Sequence, residues 1–354
     1  MEKQKNYLKE SCIDRMKRRQ SNFELLRIIC MFLIVAGHVT WQTKFSYSEL
    51  DLIHRTSIQS LWMGGELGVW GFTLISAYFL SGSRFKLKSL KKIWGITLFY
   101  SISIYMVLII FHIISINPKD ALKSFLPVLT GNYWYVSAYI GMYILVPYMN
   151  LVIEHLNKKD FQKLLITLFV MFSLLPYMKN ITVVTNNNSV INLVYIYFIG
   201  GYLRKYNDDF LKDKMKYYVL SFVGSLILML SSIIVIDLIK PNRWFAFLTT
   251  SSPLEAIAGI SLFLIAKNTA ISYNEIINKI AASTFAVYLI HCQAVFFPIL
   301  WNKIVKAEQW QSVPYTIGYE FLVACIIYCG ATLIDFIRIY ILKTYLKFKV
   351  RFVG

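Results

Sequence analysis

Apolar residues in this chain gather in long uncharged runs separated by short polar breaks, a pattern set by a membrane rather than by a water-filled surrounding. A helix needs about 20 mostly apolar residues to cross a bilayer, and its backbone groups must bond within the segment. Ten runs reach or approach that length, at about 22–42, 58–82, 92–116, 130–153, 161–178, 188–203, 216–239, 244–267, 280–302 and 313–337. The fifth and sixth are the shortest, and they flank a polar stretch with Asn186-Asn187-Asn188. No break is long enough to fold alone. The pattern therefore predicts an all-α, polytopic transmembrane helical bundle of about ten transmembrane helices. It forms a single domain over 22–340, with basic tails at 1–21 and 341–354.

The positions of the cations supply an orientation. Lys and Arg concentrate in loops that stay in the cytoplasm. With the N-terminus inside, the inner segments carry 27 of the 37 Lys and Arg and the outer loops 9, with Arg27 inside the first helix. That bias predicts cytoplasmic termini at both ends. The N-terminal cations precede an apolar run as in a signal peptide, but no small-residue cleavage site follows, so the segment reads as a retained anchor.

Composition agrees: 57% of residues are hydrophobic and 16% charged, against about 25% charged in soluble domains. Soluble, disordered and disulfide-stapled classes are excluded. The net charge of +18 would suggest nucleic acid in a soluble protein. Here orientation and attraction to anionic lipid account for it, and the bilayer rather than nucleic acid is the expected partner. Five cysteines, four of them in apolar runs, form no C-x-x-C pair. No disulfide framework, metal site or permanently bound cofactor is expected.

Ionisable residues inside membrane spans are costly and mark function by default. The first run holds Glu24, Arg27 and His38. Arg27 and His38 are eleven residues apart, which places them about 20° apart around a helix and about 16 Å apart along it. Glu24 lies one turn before Arg27, within pairing distance. An imidazole suits proton transfer near neutral pH, and a guanidinium suits a phosphate. Glu66, Glu255 and His291 are further intramembrane candidates that could orient His38, and Asp335 sits one turn before Arg338, spaced for a local ion pair. Arg84 and Lys86 open a basic cluster after the second run. Tyr133-Trp134-Tyr135 opens the fourth run, with Tyr139 and Tyr143 one and two turns on. Such aromatics serve either as an interfacial belt or as a platform for sugar rings. No P-loop, dinucleotide fingerprint, zinc motif or nucleophile elbow occurs.

These residues resemble a known family. Asn22-Phe23-Glu24-Leu25-Leu26-Arg27 through His38 resembles the opening Arg-x10-His motif of the acyltransferase-3 family of integral-membrane O-acyltransferases. The segment Gly68 to Leu80 is similar to its second-helix signature, and Arg84-Phe85-Lys86 to its Arg-x-Arg element. Tyr133-Trp134-Tyr135 through Pro147-Tyr148-Met149-Asn150 resembles its aromatic-to-Pro-x-x-Asn helix. Gly200 to Lys205 and Thr284 to His291 resemble later blocks. Ala77 stands where a glycine is usual, Trp70 where the residue is often polar, and Lys86 where a second arginine is usual.

The resemblance covers about 22–340. It implies transfer of an acetyl group from cytoplasmic acetyl-CoA to a hydroxyl of an extracytoplasmic glycan (capsule, exopolysaccharide or cell-wall polymer) in a bacterial plasma membrane. On that reading His38 is base or transient acyl carrier and Arg27, Arg84 and Lys86 hold the acyl-CoA. Glu24, Glu66, Glu255 and His291 support His38 and Arg27. Tyr133, Trp134 and Tyr135 meet the acceptor. The rival class is a transporter or flippase for a polysaccharide or its lipid-linked precursor, which the helices, carboxylates and basic inner face permit but which no obvious inverted repeat or pair of broken helices supports.

Overall fold

A computed structural model describes residues 20–177, 189–239 and 252–353. The expectations placed on the tail before residue 20, on the polar stretch 179–188 and on the first residues of the 244–267 block lie outside these residues.

Helices form where the apolar runs stand. They are α1 (Ser21–Gln42), α2 (Leu52–Leu80), α3 (Leu87–Ile110), α4 (Pro118–Phe125), α5 (Trp134–His155) and α6 (Lys158–Phe169). After them come α7 (Val190–Lys205), α8 (Met215–Ile239), α9 (Pro253–Asn268), α10 (Glu275–Ala282), α11 (Thr284–His291) and α12 (Thr316–Val353). Among the described residues there is no strand. Short polar side chains start several helices by accepting a first-turn N–H: Asp51 from His54, Asn157 from Asp160 and Asn274 from Ile277. Asn117 and Ser252 do the same just before Pro118 and Pro253, where a proline's missing donor costs nothing. The predicted C-terminal tail from 341 is not a separate segment, since α12 continues through it to Val353.

Among the described residues, five helical segments are long and apolar enough to cross a membrane, against the ten runs of the sequence: α1, α3, α5, Lys212–Ile239 and Thr316–Thr344. A sixth exists if Glu275–His291 and Phe296–Trp310, bent by 83°, make one span. The difference has physical causes. α7 and α9 have 16 residues each, about 24 Å, less than the roughly 30 Å hydrocarbon core. After Phe169 the fifth block passes into a π-helical turn at Val170–Leu174. α2 has 29 residues but carries His54, Arg55, Gln59 and Glu66.

Three features place the site. α1 and α2 pack against each other, and a Cβ on Gly37 would lie 2.7 Å from the Cα of Gly65. Two glycines there let the backbones touch directly beside His38 and Glu66. Second, the chain breaks after His291. Gln293 is fully buried; its carbonyl accepts from the N–H groups of Val295 and Phe296 (2.8 and 2.7 Å), and its amide donates to Ser101 O and Ser124 Oγ (3.3 and 3.2 Å). The side chain thus replaces the backbone bonds that the bend removes. Third, the turn after α2 and the last turns of α5 and α7 meet at one end of the bundle, called here the basic end.

Candidate functional site

His38 and His291 form one hydrogen-bonded pair, Nδ1 of His38 lying 3.1 Å from Nε2 of His291. The Nδ1 of His291 lies 2.6 Å from the Val287 carbonyl one turn back. A carbonyl only accepts, so that nitrogen carries the proton of the neutral ring, and Nε2 of His291 is left as an acceptor. His38 must then donate from Nδ1. Its Nε2 keeps a lone pair that neither contact uses. His291 is fully buried, whereas His38 is half-buried four residues from the end of α1.

A row of rings leads from this pair towards the basic end. Tyr288 stands edge-on to His291 with centroids 6.1 Å apart, and Tyr135 lies 6.0 Å from Tyr288. Tyr139 and Tyr143 follow at successive 6.1 and 6.3 Å steps, and Phe85 lies 5.1 Å beyond Tyr143. Tyr135, Tyr139 and Tyr143 recur every four residues and so share one face of α5. Arg27 lies within electrostatic reach of Tyr135 and Tyr139. It is paired with Glu24 at 2.5 Å, and its side chain remains 26% exposed.

Phe85 opens onto a cavity of about 650 Å³ lined by residues that include Gly82, Arg84, Pro147, Asn150, Arg204 and Lys205, a size typical of small-molecule sites. Asn150 builds its wall: the amide donates to Leu80 O and Ser83 O (3.2 and 3.1 Å), and its carbonyl accepts from Tyr197 at 2.7 Å. That clamp fixes the turn that carries exposed Arg84. Arg204 donates to Tyr78 O at 3.1 Å. The Lys205 ammonium caps the end of α5, donating to the carbonyls of Ile153, Glu154 and Leu156 at 2.7–2.9 Å, and so holds the cavity together.

The structure sorts the expected residues. Arg27 pairs with Glu24, and His38 pairs with His291. Of the three acyl-CoA candidates, Arg84 alone lines the cavity. The backbone of Lys86 is held by the Tyr143 hydroxyl, through N–H and C=O at 3.2 Å each. Glu66 and Glu255 are both buried. The trio Tyr133, Trp134 and Tyr135 does not form an exposed rim. Tyr133 is fully buried and donates to Leu289 O at 2.9 Å, and Tyr135 is buried with its hydroxyl 3.1 Å from that of Thr73. Trp134 is half-buried.

Three contributors had no assigned role in the sequence: Asn150, Arg204 and Cys292, whose Sγ lies 3.8 Å from His38 Nδ1. Asn150 and Arg204 stand inside motif segments, which was their one signal. Cys292 gives none, because its neighbour is 254 positions away.

Fold and site together define a multi-pass membrane protein with a basic cavity at one end and a histidine pair towards the other. The family model for the acyltransferase domain matches residues 20–335, and the chain belongs to that acyltransferase-3 family. No curated protein and no solved structure matches it.

Proposed function

We propose that this protein transfers an acetyl group from acetyl-CoA to a hydroxyl of a surface glycan, with donor and acceptor entering from opposite sides of a bacterial plasma membrane. The observation that carries the reading is the free Nε2 of His38, held in that tautomer by His291 and the Val287 carbonyl. In the reaction the acceptor oxygen attacks the thioester carbonyl while His38 Nε2 takes its proton. The carbon–sulfur bond then breaks, and the proton passes to the leaving thiolate. His291 stays neutral and positions the ring.

The basic end suits the donor. Arg84 and Arg204 at the cavity match the phosphates of CoA, and Arg27, about 16 Å from His38 along α1, lies between cavity and base. The row from Phe85 to Tyr288 offers an apolar wall for the pantetheine arm. Trp134, at the start of α5, retains accessible aromatic surface for a sugar ring. Cytoplasmic termini put the basic end inside, as the loop charges require, and ten crossings would need the short helices α7 and α9 to be accommodated by a locally thinned bilayer. Family membership favours acyl transfer over the transporter reading.

The test compares the surface glycan by NMR in cells with and without the protein. Loss of O-acetyl signals is expected. Identical spectra, with the protein shown to be produced and inserted, would refute the proposal.

A further inference from the structure

We infer that His38 Nδ1, His291 Nε2 and Cys292 Sγ form a binding site for a thiophilic d10 cation of the Zn²⁺ type, and that occupation of this site switches transfer off. The inhibitory half rests on the role proposed for His38; the binding half does not. The three donor atoms all lie within 4.8 Å of one another, with His38 Nδ1 3.1 Å from His291 Nε2 and 3.8 Å from Cys292 Sγ. Bonds of about 2.0–2.1 Å to nitrogen and about 2.3 Å to sulfur at tetrahedral angles put N···N near 3.3 Å and N···S near 3.6 Å. Both observed separations are within a few tenths of an ångström of those values.

The surroundings are also those of a ligand set. A metal-bound histidine usually donates its other ring N–H to a carbonyl or carboxylate, which fixes the ring. His291 does this to Val287 O. The helix ends at His291, and the bend that Gln293 stabilises turns Cys292 towards α1. His38 and Cys292 are half-buried, while His291 is fully buried. Two imidazoles and a thiolate select Zn²⁺ or Cu⁺ over Mg²⁺ or Ca²⁺, which take oxygen.

Binding has a definite proton balance. The Cys292 thiol loses its proton to solvent. The proton on His38 Nδ1 must leave that nitrogen to free its lone pair for the metal, and it reappears on Nε2. One proton is released in all, and the fourth coordination position stays open. The nitrogen that serves as base is now protonated, so the metal-bound state is inactive. The site and the base exclude each other.

The experiment uses the full-length protein in nanodiscs, with Zn²⁺ as probe and Mg²⁺ as control, and reads bound metal by competition against a chromogenic chelator. One equivalent of Zn²⁺ should bind, and Cys292→Ser should weaken binding by at least ~10–100-fold. His291→Ala should weaken it comparably. In parallel, acetyl transfer is measured with and without Zn²⁺. Wild type should be inhibited reversibly, with activity restored by chelator, while the activity that Cys292→Ser shows without metal, whatever its level, should resist inhibition. Equal Zn²⁺ affinity in wild type and Cys292→Ser would overturn the site. Activity that disappears with chelator and returns with Zn²⁺ would overturn its inhibitory role. Should Zn²⁺ bind as described to a protein that transfers no acetyl group, the site stands and the acetyl-transfer reading falls.

Discussion

Two polar clusters lie between helices of this bundle, and they are built on opposite plans. In one, Asp335 Oδ1 accepts from the Tyr100 hydroxyl at 2.5 Å and from Arg338 Nε and Nη2 at 2.7 and 2.6 Å. Charge meets charge, and α12 is bolted to α3. In the other, two neutral imidazoles meet at 3.1 Å and leave one ring nitrogen over. Burial alone does not separate them, because Asp335 and His291 are both almost inaccessible. Nor does a leftover acceptor separate them, since Asp335 Oδ2 is buried without a hydrogen-bond partner among the described residues. What separates them is that the leftover atom beside His291 belongs to an imidazole, which can take up and return a proton near neutral pH, whereas the carboxylate is locked to a guanidinium.

Breaking each cluster in turn should give the largest effects. His38→Ala should lower turnover by ~10²–10⁴-fold, the usual worth of a general base, with thermal stability in detergent close to wild type. A large fall in stability instead would make His38 a structural residue like Asp335. Asp335→Ala should show the reverse. It leaves the Arg338 guanidinium, 17% exposed, without its carboxylate, and such breakage costs about 3–5 kcal/mol. Thermal unfolding should reveal it, with per-molecule activity of the surviving folded protein retained.

Smaller changes sharpen the distinction. His291→Ala should lower kcat by ~10²-fold through misorientation of His38 and leave KM for acetyl-CoA little changed. A rise in KM with constant kcat would assign His291 to binding. Arg84→Ala should do the opposite, raising KM for acetyl-CoA by about tenfold for one charge-assisted bond with kcat nearly constant. Tyr100→Phe should cost about 1 kcal/mol of stability, one neutral hydrogen bond's worth, and nothing in activity.

Much of this was legible in the sequence, and the limits are physical. The apolar runs located helices in every block described, because a bilayer demands length and apolarity that few other folds impose. Local spacing located the Glu24–Arg27 and Asp335–Arg338 pairs, since three residues is one turn of helix. Ten spans were expected and five or six described segments are long and apolar enough for one, because apolarity does not report length: α7 and α9 are apolar but short. Nor did it report the bend after His291, whose cause is the capping by Gln293. The histidine pair itself joins residues 253 apart. The sequence offered His291, Glu66 and Glu255 as supports for His38, and three-dimensional packing places His291 in direct contact with it. The aromatic opening of α5 looked like a rim because tyrosine and tryptophan favour interfaces; the Tyr133 and Tyr135 hydroxyls find partners inside the bundle, which lets those rings be buried.

The protonation of His38 is the point on which the account rests, and it can be observed. Nitrogen-15 NMR of histidine-labelled protein in nanodiscs at neutral pH distinguishes protonated from unprotonated ring nitrogens, with His38→Ala identifying the resonances. The expected result is a neutral His38 with its proton on Nδ1 and a bare Nε2, and loss of that preference in His291→Ala. A His38 ring protonated on Nε2 in the metal-free wild type would contradict it.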